Sequence, residues 1–152
     1  MTDKHIRVVR TSAAYWRATF DHPPINLIDP ETVAELSALV DEIERDSDVR
    51  AVVFDSADPE FYLAHYDVLV NGSVSASLKP GRTGLRPWPD TLLRLSRAPA
   101  VSIASIRGRA RGAGSEFVLA CDIRFASREK AILGQFEVGV LSLIHISEPT
   151  RP

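Results

Sequence analysis

Glu116 follows directly on a run of small residues, Gly112-Ala113-Gly114-Ser115, within the stretch VSIASIRGRARGAGSEFVLACD from Val101 to Asp122. A glycine-rich turn that feeds a helix N-terminus presents backbone N–H groups without intrahelical acceptors, at the positive end of the helix dipole. Such a place stabilises negative charge developing on an oxygen. A carboxylate in the first turn of the same helix can move a proton beside that charge. The plain alternative is that Glu116 only complements the helix dipole and that the glycines only make a tight turn. Two nucleotide readings fail on spacing. Phe117 stands where a dinucleotide fingerprint needs its third glycine, and no Gly-Lys-Ser/Thr follows for a phosphate loop.

The elements around this stretch have to position it. Val101, Ile103 and Ile106 predict a buried strand, Gly108 to Gly114 a loop, and a helix from about Ser115. Further upstream, Ile6–Arg10 and Tyr15–Phe20 read as strands of a hairpin, stopped by Pro23-Pro24. Asp29 as N-cap and Pro30 at the first helical position open a helix. Its apolar stripe is Val33, Leu36, Val40 and Ile43, with Glu35, Asp41, Glu42 and Glu44 expected to face water. Burying each stripe residue is worth roughly 1.5–3 kcal/mol. Ala51–Phe54 predicts a strand, Asn71–Gly84 a loop, Thr91–Arg97 a short helix, and Ile123–Ala126 and Ala131–Leu133 two more strands.

Composition narrows the function classes. The chain has 152 residues, of which 45% are hydrophobic and 25% charged, with a net charge of −2. That is enough for one domain with a real core, and it gives no electrostatic case for nucleic acid or an anionic membrane. The N-terminus lacks a signal-peptide core and no apolar run spans a bilayer, so the expectation is a cytoplasmic protein with no membrane partner. The lone Cys121 is expected to be a buried small hydrophobe, and His65, with no second His or Cys near it, to bind no metal.

Five ordered segments then carry a resemblance: DHPPINLID, VRAVVFDS, FYLAHYDV, IRGRARGAGSEFVLACDIRFAS and LGQFEVGV. Together they resemble the crotonase (enoyl-CoA hydratase/isomerase) superfamily over residues 6–140. The resemblance implies an α/β fold, a spiral of ββα units, acting on acyl-coenzyme A thioesters. Coenzyme A is then part of the substrate, and no separate cofactor or metal is needed. It also implies that two backbone N–H groups hold the thioester oxygen as an enolate forms, and by position these fall on Tyr66 and Ala113. Ala64, His65, Asp67, Gly112 and Gly114 would line the substrate around them. Glu116 and Glu137 match the two glutamates that, in the hydratases, share the acid and base roles, and the residues alone do not divide those roles between them. Isomerase, thioesterase and decarboxylase chemistry, or an inactive acyl-CoA binder, belong to the same scaffold. Two departures stand out: His65 and Tyr66 occupy positions where the family has small residues, and Phe136 stands where proline usually precedes the second glutamate.

The resemblance stops at Val140. Residues 141–152 read LSLIHISEPTRP, and Leu141–Arg151 match an in-frame translation of a transposase-type sequencing-library adapter. The tail is expected to be foreign, and residues 1–140 to be a partial crotonase-like domain lacking its C-terminal helices. Family members assemble as trimers or hexamers partly through those helices. This chain is therefore expected to expose apolar faces and not to be stably active by itself.

Overall fold

The computed structural model describes residues 4–69 and 79–135. Among them lie eight strands and three helices in the order β1 (Ile6–Arg10), β2 (Tyr15–Phe20), α1 (Pro30–Arg45), β3 (Ala51–Ser56), β4 (Phe61–Leu63), α2 (Pro87–Leu95), β5 (Val101–Ile106), β6 (Arg109–Arg111), α3 (Ala113–Ala120), β7 (Ile123–Ala126) and β8 (Ile132–Gly134).

β1 and β2 form the expected antiparallel hairpin, with Ile6 opposite Phe20. From β3 onward the strands come in pairs. The first strand of each pair joins a large sheet, β1-β2-β3-β5-β7, and the second joins a small one, β4-β6-β8. β2, β3, β5 and β7 run parallel, as do β4, β6 and β8. The chain therefore repeats a ββα step, each step adding one strand to each sheet. The connection from the small sheet back to the large one is a helix, as a parallel crossover requires.

α1 starts as its sequence dictates. Asp29 accepts from the Thr32 amide at 2.7 Å, Pro30 opens the helix, and Asp46 caps its end. Thr32, Val33, Leu36, Leu39, Val40 and Ile43 are buried, so the apolar stripe is the expected one with two additions. The opposite face differs from expectation. Glu35 accepts from the His5 and Ile6 amides at 3.2 and 2.9 Å, satisfying the start of β1. Asp41 and Glu44 are taken by Arg94 of α2, only 7% exposed, whose guanidinium reaches Glu44 at 3.0 and 2.6 Å and also Asp41. A guanidinium buried this far needs such partners. Hydrogen bonding to Glu44, outweighing burial and joined by Asp41, holds it well above the ordinary arginine range.

Two boundaries also shift. α2 begins at Pro87, earlier than Thr91, because a proline in the first turn needs no acceptor for the amide it lacks. The expected loop Gly108–Gly114 contains β6, and α3 begins at Ala113, ahead of Ser115.

The core centres on an aromatic group. Phe117 of α3 packs edge-on to Phe20 and Phe54, with ring centroids 5.2 and 5.1 Å apart, and tilted against Tyr62 at 6.4 Å. All four rings are fully buried. Cys121 lies in the same core, and burial pushes its thiol up to about 12.

Candidate functional site

The site grows from two turns that the small sheet brings side by side. The first follows β4. Asn26 sits with φ of +53°, a backbone region that asparagine tolerates better than most residues. Its buried side-chain amide donates to Ser56 Oγ at 2.8 Å and to the Phe61 and Tyr62 carbonyls at 3.3 Å. Its own carbonyl accepts from the Ala64 amide at 3.1 Å. Ile28 then pairs in parallel with Tyr66, donating to the His65 carbonyl at 2.9 Å and accepting from the Asp67 amide at 2.8 Å. A parallel bridge of this pattern uses the neighbours of Tyr66, so the Tyr66 amide is turned away from Ile28.

The second turn follows β6. Arg111 donates its amide to the Ala64 carbonyl at 3.0 Å, and Gly112 donates to the Gly134 carbonyl at 2.9 Å. The Ala64–Asp67 segment is thus flanked by Ile28 on one side and by the approach to α3 on the other. Gly112, with φ of +48° and ψ of −122°, is the N-cap of α3, a conformation open to glycine and costly for other residues. Ala113 and Gly114 then provide first-turn amides with no acceptor inside the helix. Gly114 permits the close approach: a Cβ there would lie 2.2 Å from the Leu63 carbonyl oxygen.

Glu116 stands in this first turn, half-buried, its amide donating to the Gly112 carbonyl at 3.0 Å. Phe117, the next residue, is buried in the aromatic core and fixes the helix about its axis. Both Glu116 oxygens have neutral donors: Trp88 Nε1 on Oε2 at 2.9 Å and Gln135 Nε2 on Oε1 at 3.3 Å. Trp88, Gln135 and Asn26 are the residues that sequence reasoning missed. None carries a local signal, because each acts across a distance in sequence that only the fold closes.

Among the expected residues, Ala64, Tyr66, Gly112, Ala113, Gly114 and Glu116 therefore lie along these two adjoining turns. His65 is exposed and donates from Nδ1 to the Tyr66 carbonyl at 2.8 Å, while Asp67 Oδ1 accepts from the Leu69 amide at 2.9 Å. Both serve the local turn. Glu137 and Phe136 lie outside the described residues, as do residues 71–78 of the expected loop and the tail at 141–152.

A separate cluster, His5, His22 and Asp29, brings nitrogen and oxygen atoms within 4.8 Å of one another. Its rings stack face to face, 3.6 Å apart and 8° from parallel, which aims their in-plane lone pairs side by side where a shared cation needs them convergent. Both Nδ1 atoms also have partners, the Thr32 hydroxyl at 2.9 Å and the Leu27 carbonyl at 3.0 Å. Burial acts to raise the Asp29 carboxyl, but the Thr32 amide and hydroxyl together with the two imidazoles outweigh it and hold the group below the ordinary aspartate value. The cluster is the cap of α1.

The sequence profile described as enoyl-CoA hydratase/isomerase matches residues 10–142. The chain belongs to this family. A short-chain-enoyl-CoA hydratase of Clostridium acetobutylicum is 33% identical over 118 residues, covering 76% of this chain and 43% of that protein. Among solved structures, a candidate enoyl-CoA hydratase of Streptomyces avermitilis superposes with a TM-score of 0.82 at 48% identity, covering 91% of this chain and 50% of the other. Pseudomonas aeruginosa DspI gives a TM-score of 0.77 at 32% identity, covering 92% and 52%. The repeated ββα steps are thus the crotonase fold, and the chain spans about half the length of the relatives it matches.

Proposed function

We propose that this chain supplies the oxyanion-binding and acid/base part of an enoyl-CoA hydratase-like lyase. The substrate is an enoyl-CoA thioester, and the reaction adds water across its C2=C3 bond. Attack of water at C3 drives the π electrons toward the thioester carbonyl, so negative charge accumulates on that oxygen. The Tyr66 and Ala113 amides receive it, and one such donor is typically worth about 10²–10³ in rate. Being backbone groups, they serve whatever side chains they carry. Glu116 and Glu137 handle the two protons, one taken from the attacking water and one delivered to C2. Coenzyme A enters with the substrate, and the chemistry requires no further cofactor. The complete enzyme is a homotrimer or hexamer of the cytoplasm.

The observation that carries this reading is the bond from the Arg111 amide to the Ala64 carbonyl, 3.0 Å long. It supports a common site for the turn after β4 and the N-terminus of α3, with Glu116 in that helix's first turn. The test is the loss of enoyl thioester absorbance on adding the full-length enzyme. Glu116→Gln and Glu137→Gln are each expected to lower kcat by about 10²–10⁴, the usual worth of a positioned acid or base. Undiminished turnover in both variants, or double-bond migration with no net hydration, overturns the hydratase assignment.

A further inference from the structure

We infer that Trp88 is the positioning residue for Glu116, and that its indole N–H selects which carboxylate oxygen exchanges the proton. The inference rests on the acid/base reading of Glu116. An indole nitrogen is a donor only. Its 2.9 Å bond therefore keeps Glu116 Oε2 an acceptor in either protonation state, and a proton placed on Oε2 would weaken that bond.

Oε1 has a different partner. The Gln135 amide reaches it from Nε2 at 3.3 Å, and the same amide carries an oxygen that is buried with no hydrogen-bond partner among the described residues. Half a turn about the terminal bond presents that oxygen to Oε1. A protonated Oε1 then donates to it, so this oxygen has a satisfied partner whether or not it holds the proton. Oε2 is held and Oε1 works. The proton passes between Oε1 and water, or between Oε1 and C2, with the carboxylate otherwise unchanged.

Trp88 is itself held. It follows Pro87 at the start of α2, where the Thr91 hydroxyl donates to the Pro87 carbonyl at 2.8 Å. The helix is tied to α1 by the buried Arg94 with Asp41 and Glu44, and to the preceding turn by Asp90, which accepts from the Thr83 amide and hydroxyl at 2.7 Å. The ring is half-buried against the core, which restricts the swing of the indole away from Oε2.

The discriminating substitution replaces Trp88 with benzothienylalanine, which keeps the bicyclic shape and exchanges the N–H for sulfur. In the full-length enzyme this isostere and Trp88→Phe are both expected to lower kcat about tenfold with KM within about twofold, as loss of one hydrogen bond to a charged group predicts. The second readout is the indole proton resonance of Trp88, which Glu116→Gln is expected to shift while that of Trp16, the other tryptophan of these 152 residues, stays in place. Wild-type kcat in the isostere, or a Trp88 resonance indifferent to Glu116→Gln, overturns the inference and leaves the hydratase reading standing. Absence of hydration in the wild type overturns that reading instead. A shifted Trp88 resonance would then still uphold the contact, and an unshifted one would remove it as well.

Discussion

Gly114 shows how much of the site depends on a missing atom. An added Cβ would stand 2.2 Å from the Leu63 carbonyl oxygen, 2.8 Å from Leu63 Cβ and 2.9 Å from its carbonyl carbon. Two of those atoms are backbone, so relief requires α3 to retreat from β4. Gly114→Ala is expected to cost about 1–3 kcal/mol of stability, as overpacked sites do. It should also lower kcat by about 10², because a displacement of roughly 1 Å at a reacting centre costs that much. Gly134 is the control. A Cβ there meets only the Arg111 side chain at 4.0 Å, so Gly134→Ala is expected to stay within about 0.5 kcal/mol of wild type. Thermal unfolding and steady-state kinetics of the two variants check both statements. Equal losses in the two would place the sensitivity in glycine entropy, with α3–β4 spacing irrelevant.

At the scale of elements, two carboxylates set the acid limit. Burial acts to raise the Asp90 carboxyl, but the Thr83 amide and hydroxyl and the Arg94 charge outweigh it and keep the group below its ordinary value. Asp29 is lowered in the same sense at the head of α1. A group depressed in the folded state binds its proton more readily once unfolded. The stability it contributes is therefore complete above the unfolded pKa of about 4 and is lost as pH falls through that value toward the folded one. Asp90→Asn is expected to cost about 1–3 kcal/mol at neutral pH, with the gap to wild type narrowing as the solution is acidified below pH of about 4. Unfolding followed across that range decides it, and a gap independent of pH would exclude Asp90 as a source of the acid sensitivity.

These same elements show what a linear sequence discloses. β1, β2, β3 and α1 were legible because hydrophobic alternation, a proline stop and an Asp-Pro start are local signals. β6 was not, because Arg109-Ala110-Arg111 has one apolar residue and is a strand only through β4 and β8 on its two sides. The charged face of α1 misled for the same reason. Asp41 and Glu44 read as solvated until α2 delivers Arg94 to them. In the site, the glycine turn and Glu116 were visible from their spacing. Trp88 and Gln135 reach Glu116 from 28 and 19 residues away, and no pattern within one element could announce them.

For the whole molecule, the sheets are uneven. One edge of the large sheet is the β1 hairpin strand, backed by α1. Among the described residues the other is β7, all four residues of which are exposed, Phe125 at 64%. β8 at the edge of the small sheet exposes Ile132 and Leu133, and α3, which directly precedes β7, exposes Leu119 at 67%. Unpaired edge strands bearing apolar side chains recruit other chains, and burial returns about 25 cal/mol per Å². Relatives of this chain are about twice its length, and the part of their length that it does not match is the natural cover for such edges. The 152-residue chain expressed by itself is expected to self-associate and to bind a hydrophobic dye, and Leu119→Ser with Phe125→Ser to reduce both. Extension through the remaining length of the family is expected to abolish dye binding and open-ended association. Sedimentation of the three proteins separates the outcomes. A monomeric, dye-silent chain of 152 residues would mean that β7 and β8 are tolerated as free edges.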